Sequence, residues 1–168
     1  NVRVEDIILT NSSTWSLSMF NCKNISIENV KIVGQWRYNT DGIDMMNCRD
    51  IVIRNSFIHS FDDTIVVKGI DPYAYDGNRN ILTENCVLWA DVAHPIMIGI
   101  HGNVEDPDVI ENLIYRNIDI LDHKEKQIDY QGCMAINAGD DNLIRNILFE
   151  DIRIEDFRQG QLVNIRIF

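Results

Sequence analysis

The sequence predicts an all-β fold, a parallel β-helix of about six coils, on three observations. One short pattern, apolar-x-apolar-x-(Asn or Asp)-x-x-apolar, occurs six times, marked by Asp6, Asn29, Asn55, Asn85, Asn117 and Asp151. The markers lie 23, 26, 30, 32 and 34 residues apart, so the period grows by insertion while the pattern persists. No segment sustains a 3.6-residue apolar period, which argues against helices. Ile occurs 27 times among the 168 residues, and β-branched side chains suit pleated strands whose inward faces stack in rows.

Each copy alternates apolar and polar residues up to its Asn or Asp and again beyond it, as in Ile25-Ser26-Ile27-Glu28-Asn29-Val30-Lys31-Ile32. That reads as two short strands joined by a corner. Asn and Asp tolerate left-handed backbone at such a corner, and stacked side-chain amides can hydrogen-bond from coil to coil as a ladder. A third apolar stretch follows in every period, at 15–19, 42–46, 64–68, 95–99, 133–137 and 161–165. A β-sandwich would need hairpin turns every ~8–12 residues, and no Asn-Gly pair is present to make them. Both termini fall inside strand-like copies, so the chain reads as one domain, 1–168, belonging to a longer β-helix whose caps lie elsewhere.

Lys and Arg number 15 against 26 Asp and Glu, a net charge of −11. Such a surface repels polyanions and argues against nucleic-acid partners. No apolar run reaches the ~18 residues of a membrane span, and Asn1-Val2-Arg3-Val4-Glu5 lacks the layout of a signal peptide. Cys22, Cys48, Cys86 and Cys133 form no CxxC pair, which predicts four buried thiols and neither a zinc site nor a dense disulfide framework.

In a stacked solenoid, residues leading into equivalent strands of successive coils come side by side, ~4.8 Å apart per coil. Leading into the third strands are Asn39-Thr40-Asp41-Gly42, Phe61-Asp62-Asp63 and Ala93-His94-Pro95. Three carboxylates and an imidazole therefore meet on one edge. Close like charges raise the pKa of one carboxyl, which makes a general acid near neutral pH. Cleaving a glycosidic bond needs one acid to protonate the leaving oxygen and another carboxylate to activate water. Trp36, Tyr38, Tyr73 and Tyr75 lie in neighbouring loops, available either to stack on sugar rings or to pack those loops. Asp140-Asp141 follows its strand and reads as a turn, and Asp122-His123-Lys124-Glu125-Lys126 reads as a solvated loop.

Asn39-Thr40-Asp41-Gly42-Ile43-Asp44, with Asp62-Asp63 beginning 21 residues after Asp41, resembles the NTD and DD motifs of glycoside hydrolase family 28. This is the polygalacturonase family of the pectate-lyase-like right-handed β-helices. His94-Pro95-Ile96-Met97-Ile98-Gly99 is similar to the family's GHG-containing strand, and Asn11-Ser12-Ser13-Thr14-Trp15 to its Asn-Ser-x-x-Trp strand. The stretch 89–96 also resembles family 49 dextranases. The resemblance implies right-handed winding, which β-crossovers favour in general. It further implies an extracellular or periplasmic location, a polysaccharide or oligosaccharide substrate, and neither cofactor nor metal. Carried over, Asp62 is the general acid, Asp41 and Asp63 activate the attacking water in an inverting displacement, and His94 supports the acid or positions substrate. Asn39, Lys68, Tyr73 and His101 become substrate-binding candidates. Lys68 alternatively pairs with a carboxylate, and His101 competes with His94 for the histidine role.

One departure bears on the substrate. Family members acting on galacturonate carry Arg-Ile-Lys one coil after the histidine, whereas the strand here reads Met134-Ala135-Ile136-Asn137. Without those cations, uronate specificity is not expected. Two other classes share the fold: a calcium-dependent polysaccharide lyase, disfavoured by the scarcity of cations, and a non-catalytic glycan-binding β-helix.

Overall fold

A computed structural model describes residues 1–69, 77–156 and 158–167. Its strands follow the repeat. The first coil holds β1 (Val2–Glu5), β2 (Ile8–Thr10) and β3 (Leu17–Phe20). The second holds β4 (Lys23–Glu28), β5 (Lys31–Val33) and β6 (Ile43–Met46), and the third holds β7 (Arg49–Arg54), β8 (Phe57–Ser60) and β9 (Ile65–Lys68). In the last three coils the first two strands run together: β10 (Asn78–Ala90) precedes β11 (Ile96–Gly99), β12 (Val109–Asp122) precedes β13 (Met134–Ala138), and β14 (Leu143–Ile154) precedes β15 (Val163–Ile167). Three separate strands per repeat, as the sequence suggests, thus hold for the first half only. Beyond it, pairing skips Asn85 and Asn117 and resumes at once with Cys86 against Ile118, so the corner bends a strand without ending it.

All strand pairings are parallel, each strand bonding its equivalents in the coils above and below. One sheet runs β1-β4-β7-β10-β12-β14 with the β2-β5-β8 row joined at β10, and the other runs β3-β6-β9-β11-β13-β15. The result is a right-handed parallel β-helix of six rungs. Strict register stacks like on like: Val2, Ile25, Ile51, Ile81, Leu113 and Ile147 form one inward column. Ile43, Ile65, Ile96 and Met134 form another on the opposite wall, and these columns meet in a single apolar core. Each fully buried Ile contributes about 1.5–3 kcal/mol relative to exposure, so the stacked rows drive the winding.

The six corner residues all have positive φ, from 50° at Asn29 and Asn117 to 58° at Asp6. Their amides form the expected ladder, with Asn29 donating to Asp6 at 2.7 Å, Asn85 to Asn55 at 3.3 Å and Asn117 to Asn85 at 2.8 Å. A second column stands five residues earlier, at Asn24, Asp50, Asn80, Asn112 and Asn146, also with positive φ. There Asn80 donates to Asp50, Asn112 to Asn80 and Asn146 to Asn112. All four cysteines are free; Cys48, Cys86 and Cys133 are buried, but Cys22, near the first rung with a coil on one side only, is half-buried. Among the described residues no helix is long and apolar enough to cross a membrane.

Gly42, directly after Asp41, shows how closely the coils approach. A Cβ there would lie 2.4 Å from the Thr64 carbonyl oxygen and 2.6 Å from Ile58 Cγ2. Gly42→Ala must therefore push two coils apart, and we expect a loss of about 1–3 kcal/mol in chemical denaturation. An unchanged midpoint would show that the coils are not packed this tightly.

Candidate active site

The sheet β3-β6-β9-β11-β13-β15 has two faces. Ile43, Met45, Ile65, Val67, Ile96 and Ile98 point into the core, so the alternating residues point outward. Of these, Val66, Met97 and Ala135 form a small buried strip against which Ile100 and Tyr130 pack. Backbone bonds pin the segments that enter this sheet: Gly42 N–H donates to the Asp63 carbonyl at 2.9 Å and Thr64 N–H to the His94 carbonyl at 2.8 Å. Asp41, Asp63 and His94 thus stand in three successive coils on one edge, as the spacing requires.

Asp63 and His94 are locked together. The Asp63 Oδ1 accepts the His94 backbone N–H at 2.8 Å and lies 2.6 Å from His94 Nδ1. The other ring nitrogen, Nε2, meets the backbone carbonyl of Tyr130. Both partners are acceptors, so both nitrogens donate and the ring is an imidazolium. Burial opposes that charge, but Asp63 outweighs it and raises the His94 pKa. Burial also works against an ionised Asp63, yet His94 and its hydrogen bonds hold the carboxyl below its ordinary range. His94 is fully buried beneath the cleft and touches Asp63.

Asp62 differs from its neighbour. It is only half-buried, its Oδ2 accepts the Asn39 backbone N–H at 2.9 Å, and its Oδ1 accepts the Asp63 N–H at 3.0 Å. Burial, with the Asp63 charge behind it, raises its pKa. Asn39 itself is exposed, and a positive φ of 59° brings its amide to Asp62.

Asp41 and Asp44 form a buried pair. Burial first, then the Asp44 charge, pushes Asp41 up to about 9. Burial raises Asp44 to about 6 against the pull of Lys68, whose Nζ lies 2.8 Å from Asp44 Oδ1 and 3.7 Å from Asp41 Oδ2. Lys68 also sits 4.1 Å from the centre of the Trp15 ring and is buried. Its charge is already engaged by this pair. Asp44 is the partner that the motif reading passed over, although it stands within Asp41-Gly42-Ile43-Asp44.

Of the remaining candidates, Tyr38 lines a cavity with Asp62. His101 is exposed beyond the end of β11, its carbonyl accepting from Gly69 N–H and Asn142 Nδ2; desolvation and then Lys68 lower its pKa. Tyr38, 74% exposed, packs edge-on against Phe61, and Trp36 stacks under the Arg37 guanidinium. Tyr73 and Tyr75 lie outside the described residues. Asp140 and Asp141 do form a turn, both with positive φ, and Asp140 accepts the Gly102 N–H.

The segment 122–126 is a correction: it is not a solvated loop. Lys124 bridges by its backbone to Ala93 and Gln159, which folds the loop over the edge of the cleft. His123 is buried beneath it, and burial, with the His94 charge, lowers its pKa to about 4. Glu125 is buried too, while Lys124 and Lys126 line a cavity of about 320 Å³ together with Tyr38, Asp62, Ala93 and Tyr130. A charge-rich string looks solvated by composition. The contacts that fold it come from residues more than 30 positions away on either side.

The protonation pattern predicts a pH dependence of stability. Asp41, raised, keeps in the folded state a proton that the unfolded chain releases above about pH 4, so its ionisation opposes folding increasingly up to its folded pKa. His94, also raised, stabilises below its unfolded pKa and loses this as pH rises through the folded one. We expect a higher thermal midpoint near pH 5 than near pH 9. A flat profile over that window would contradict the assignment.

A right-handed β-helix with the carboxyls of Asp41, Asp62 and Asp63 gathered along one edge places the chain in the class of parallel β-helix proteins. Within it, the chain belongs to the glycosyl hydrolases family 28, whose model matches residues 1–165. Similar proteins include an exopolygalacturonase of Cochliobolus carbonum, 29% identical over 124 residues, covering 70% of this chain and 26% of that protein. An exopolygalacturonase of Arabidopsis thaliana (clone GBGA483) is 24% identical over 165 residues, covering 98% of this chain and 34% of its own length. A probable exopolygalacturonase B of Emericella nidulans is 27% identical over 163 residues, covering 91% and 34%. The chain therefore spans about a quarter to a third of the length of these relatives. No solved structure matches the chain.

Proposed function

We propose that this chain carries the catalytic centre of a glycoside hydrolase that cleaves O-glycosidic bonds of a polysaccharide or oligosaccharide by a single, inverting displacement. The observation that supports this most is the contrast in the settings of neighbouring carboxyls: Asp62 is half-buried and lines the cavity, its pKa raised by burial, while Asp63 is buried against the His94 ring and backbone N–H, which lower its own. In this reading Asp62 passes its proton to the glycosidic oxygen as the bond to the anomeric carbon breaks. A water attacks that carbon from the opposite face and gives its proton to Asp63. Asp41, its charge suppressed by burial and Asp44, hydrogen-bonds the same water. His94 is a positioning residue that keeps Asp63 ionised and aimed.

Strand β13 bears on the substrate. Its outward residues are Ala135 and Asn137, both buried, and Arg166 of β15 pairs with Asn137. In this reading β13 itself supplies no cation where the family's galacturonate-binding pair stands. Polygalacturonase is the activity named for several relatives, and a location outside the cytoplasm accords with a polymer substrate.

The test is reducing-sugar release from pectic, dextran-like and other neutral glycans by the full-length protein and its Asp62→Asn variant. Release by the parent that collapses in the variant supports the reading. Equal release by both would remove Asp62 from the role of acid. An unsaturated, ultraviolet-absorbing product would show a lyase instead.

A further inference from the structure

We propose that Cys22 and Cys48 are a disulfide-forming pair that reacts with a small disulfide oxidant and ties the first two coils together covalently. This is independent of the hydrolase reading. Each cysteine stands one residue before the first strand of its coil, Cys22 before Lys23 of β4 and Cys48 before Arg49 of β7. Lys23 and Arg49 are register partners, and the Arg49 N–H donates to the Cys22 carbonyl at 3.0 Å, so the two cysteines are stacked neighbours. Parallel neighbours hold their Cα atoms about 4.8 Å apart, inside the roughly 4.4–6.8 Å that a disulfide spans.

The side chains agree with the backbone. Cys48 belongs to the apolar core and Cys22 packs against it, so both thiols lie on the inner face. Each is turned the same way: Cys22 Sγ lies 3.3 Å from the Phe20 carbonyl and Cys48 Sγ 3.5 Å from the Met46 carbonyl, both two residues back. Cys48 Sγ also lies 3.4 Å from the Met19 carbonyl, which sets it against the first coil. Beyond Cys48 the column continues as Asn78, Ile110 and Ile144. Cys86 stands beside Ile118, and Cys133 precedes Met134, whose partners are Ile96 and Val163; neither has a cysteine in register.

The two thiols differ in access. Cys22 is half-buried and lines a cavity of about 180 Å³ with Asn21, Lys23, Asn47, Arg49 and Gly77, whereas Cys48 is buried and does not reach it. Burial pushes the Cys48 thiol up to about 11, which makes it the poorer first nucleophile. Cys22 therefore attacks first: its thiolate bonds to one sulfur of the oxidant, the oxidant's S–S bond breaks, and the other half leaves as a thiolate. Cys48 then gives up its proton, bonds to Cys22 Sγ and expels the second half. Two protein thiols become one disulfide, the oxidant is reduced to two thiols, and both protons end on them. Lys23 and Arg49 on the cavity wall suit an anionic oxidant such as oxidised glutathione. The link also bears on the candidate site, because the first coil rests on the segment that carries Asp41. There Ser16 N–H donates to the Asp41 carbonyl at 2.9 Å and Leu17 N–H to the Gly42 carbonyl at 3.0 Å.

The experiment equilibrates the full-length protein, purified reduced, with glutathione buffers of rising oxidised fraction, then alkylates it under denaturing conditions and maps its peptides by mass spectrometry. A linked pair of peptides carrying Cys22 and Cys48 should accumulate, lighter by about 2 Da than the two reduced peptides together, the mass of the two hydrogens lost. Cys86 and Cys133 should carry the alkyl label throughout. The oxidised protein should melt about 5 °C above the reduced one, since the link constrains the unfolded chain. Cys22→Ser, the milder change because that side chain is half-buried, should abolish both the link and the difference in melting. Alkylation of both cysteines at every buffer ratio overturns the pair, as does Cys22 found only as a mixed disulfide with glutathione while Cys48 keeps its label. Equal midpoints for the oxidised and reduced parent, or a difference that persists in Cys22→Ser, would overturn the tie between the coils.

Discussion

Asp62→Asn is expected to lower kcat on the true substrate by about 10²–10⁴-fold, the contribution of a positioned general acid. The amide keeps the shape of the carboxyl, and Asp62 is half-exposed with its two oxygens held by the Asn39 and Asp63 amides, so folding should survive the change. The pH profile supplies the sharper readout. With the Asp62 pKa raised by burial and the neighbouring charge, its protonated form persists to higher pH than an ordinary carboxyl. The alkaline limb of kcat/KM should therefore sit above the usual carboxylate range in the parent and vanish in the variant. A variant that retains both its rate and that limb would assign the acid elsewhere, with Asp41 the next candidate.

His94→Ala should cost about 3–5 kcal/mol of folding stability, because it strips the partner from a buried Asp63 and leaves its charge uncompensated. Activity should fall with it. The effect on Asp63 separates positioning from bulk: without His94 the Asp63 pKa must rise, moving the acidic limb of the pH–rate profile upward. His94→Gln, which can still donate to Asp63, should recover part of the stability but little of the pH behaviour. Should denaturation midpoints of parent and His94→Ala coincide, the ion pair is not the anchor described here.

The solenoid was legible because stacking imposes register, and register leaves the same residue types at the same place in each coil. Ile25, Ile51 and Ile81 repeat in sequence because they touch in space. The corner ladder through Asn29, Asn85 and Asn117 followed from the same logic. The second ladder carried an equal signal, an Asn or Asp five residues before each marker from Asn29 onward, and was masked by the charged residues around Asn24, Asp50 and Asn80. Convergence of Asp41, Asp62, Asp63 and His94 was also readable, since each leads into the third strand of its coil.

Burial was not readable. His94 looks like a cleft residue by motif, yet the loop that covers it arrives from residues 123–131, and only the folded chain shows the Tyr130 carbonyl on its ring. Lys68 reads either as a substrate-binding cation or as a carboxylate's partner, and only the alignment of β6 with β9 sets it against Asp44 and Asp41. Lys124 and Lys126 belong to a string whose composition suggests solvent. Such features depend on pairings between coils of unequal length, where insertions break the repeat that made the rest visible.

The most direct test of the account is a proton NMR time course of the full-length protein acting on a defined oligosaccharide that it accepts, followed through the first turnovers. The account predicts that a new reducing end grows in with the anomeric configuration opposite to that of the bond cleaved, ahead of mutarotation. A first product of retained configuration, or an unsaturated sugar in place of a hydrolysed one, would contradict it.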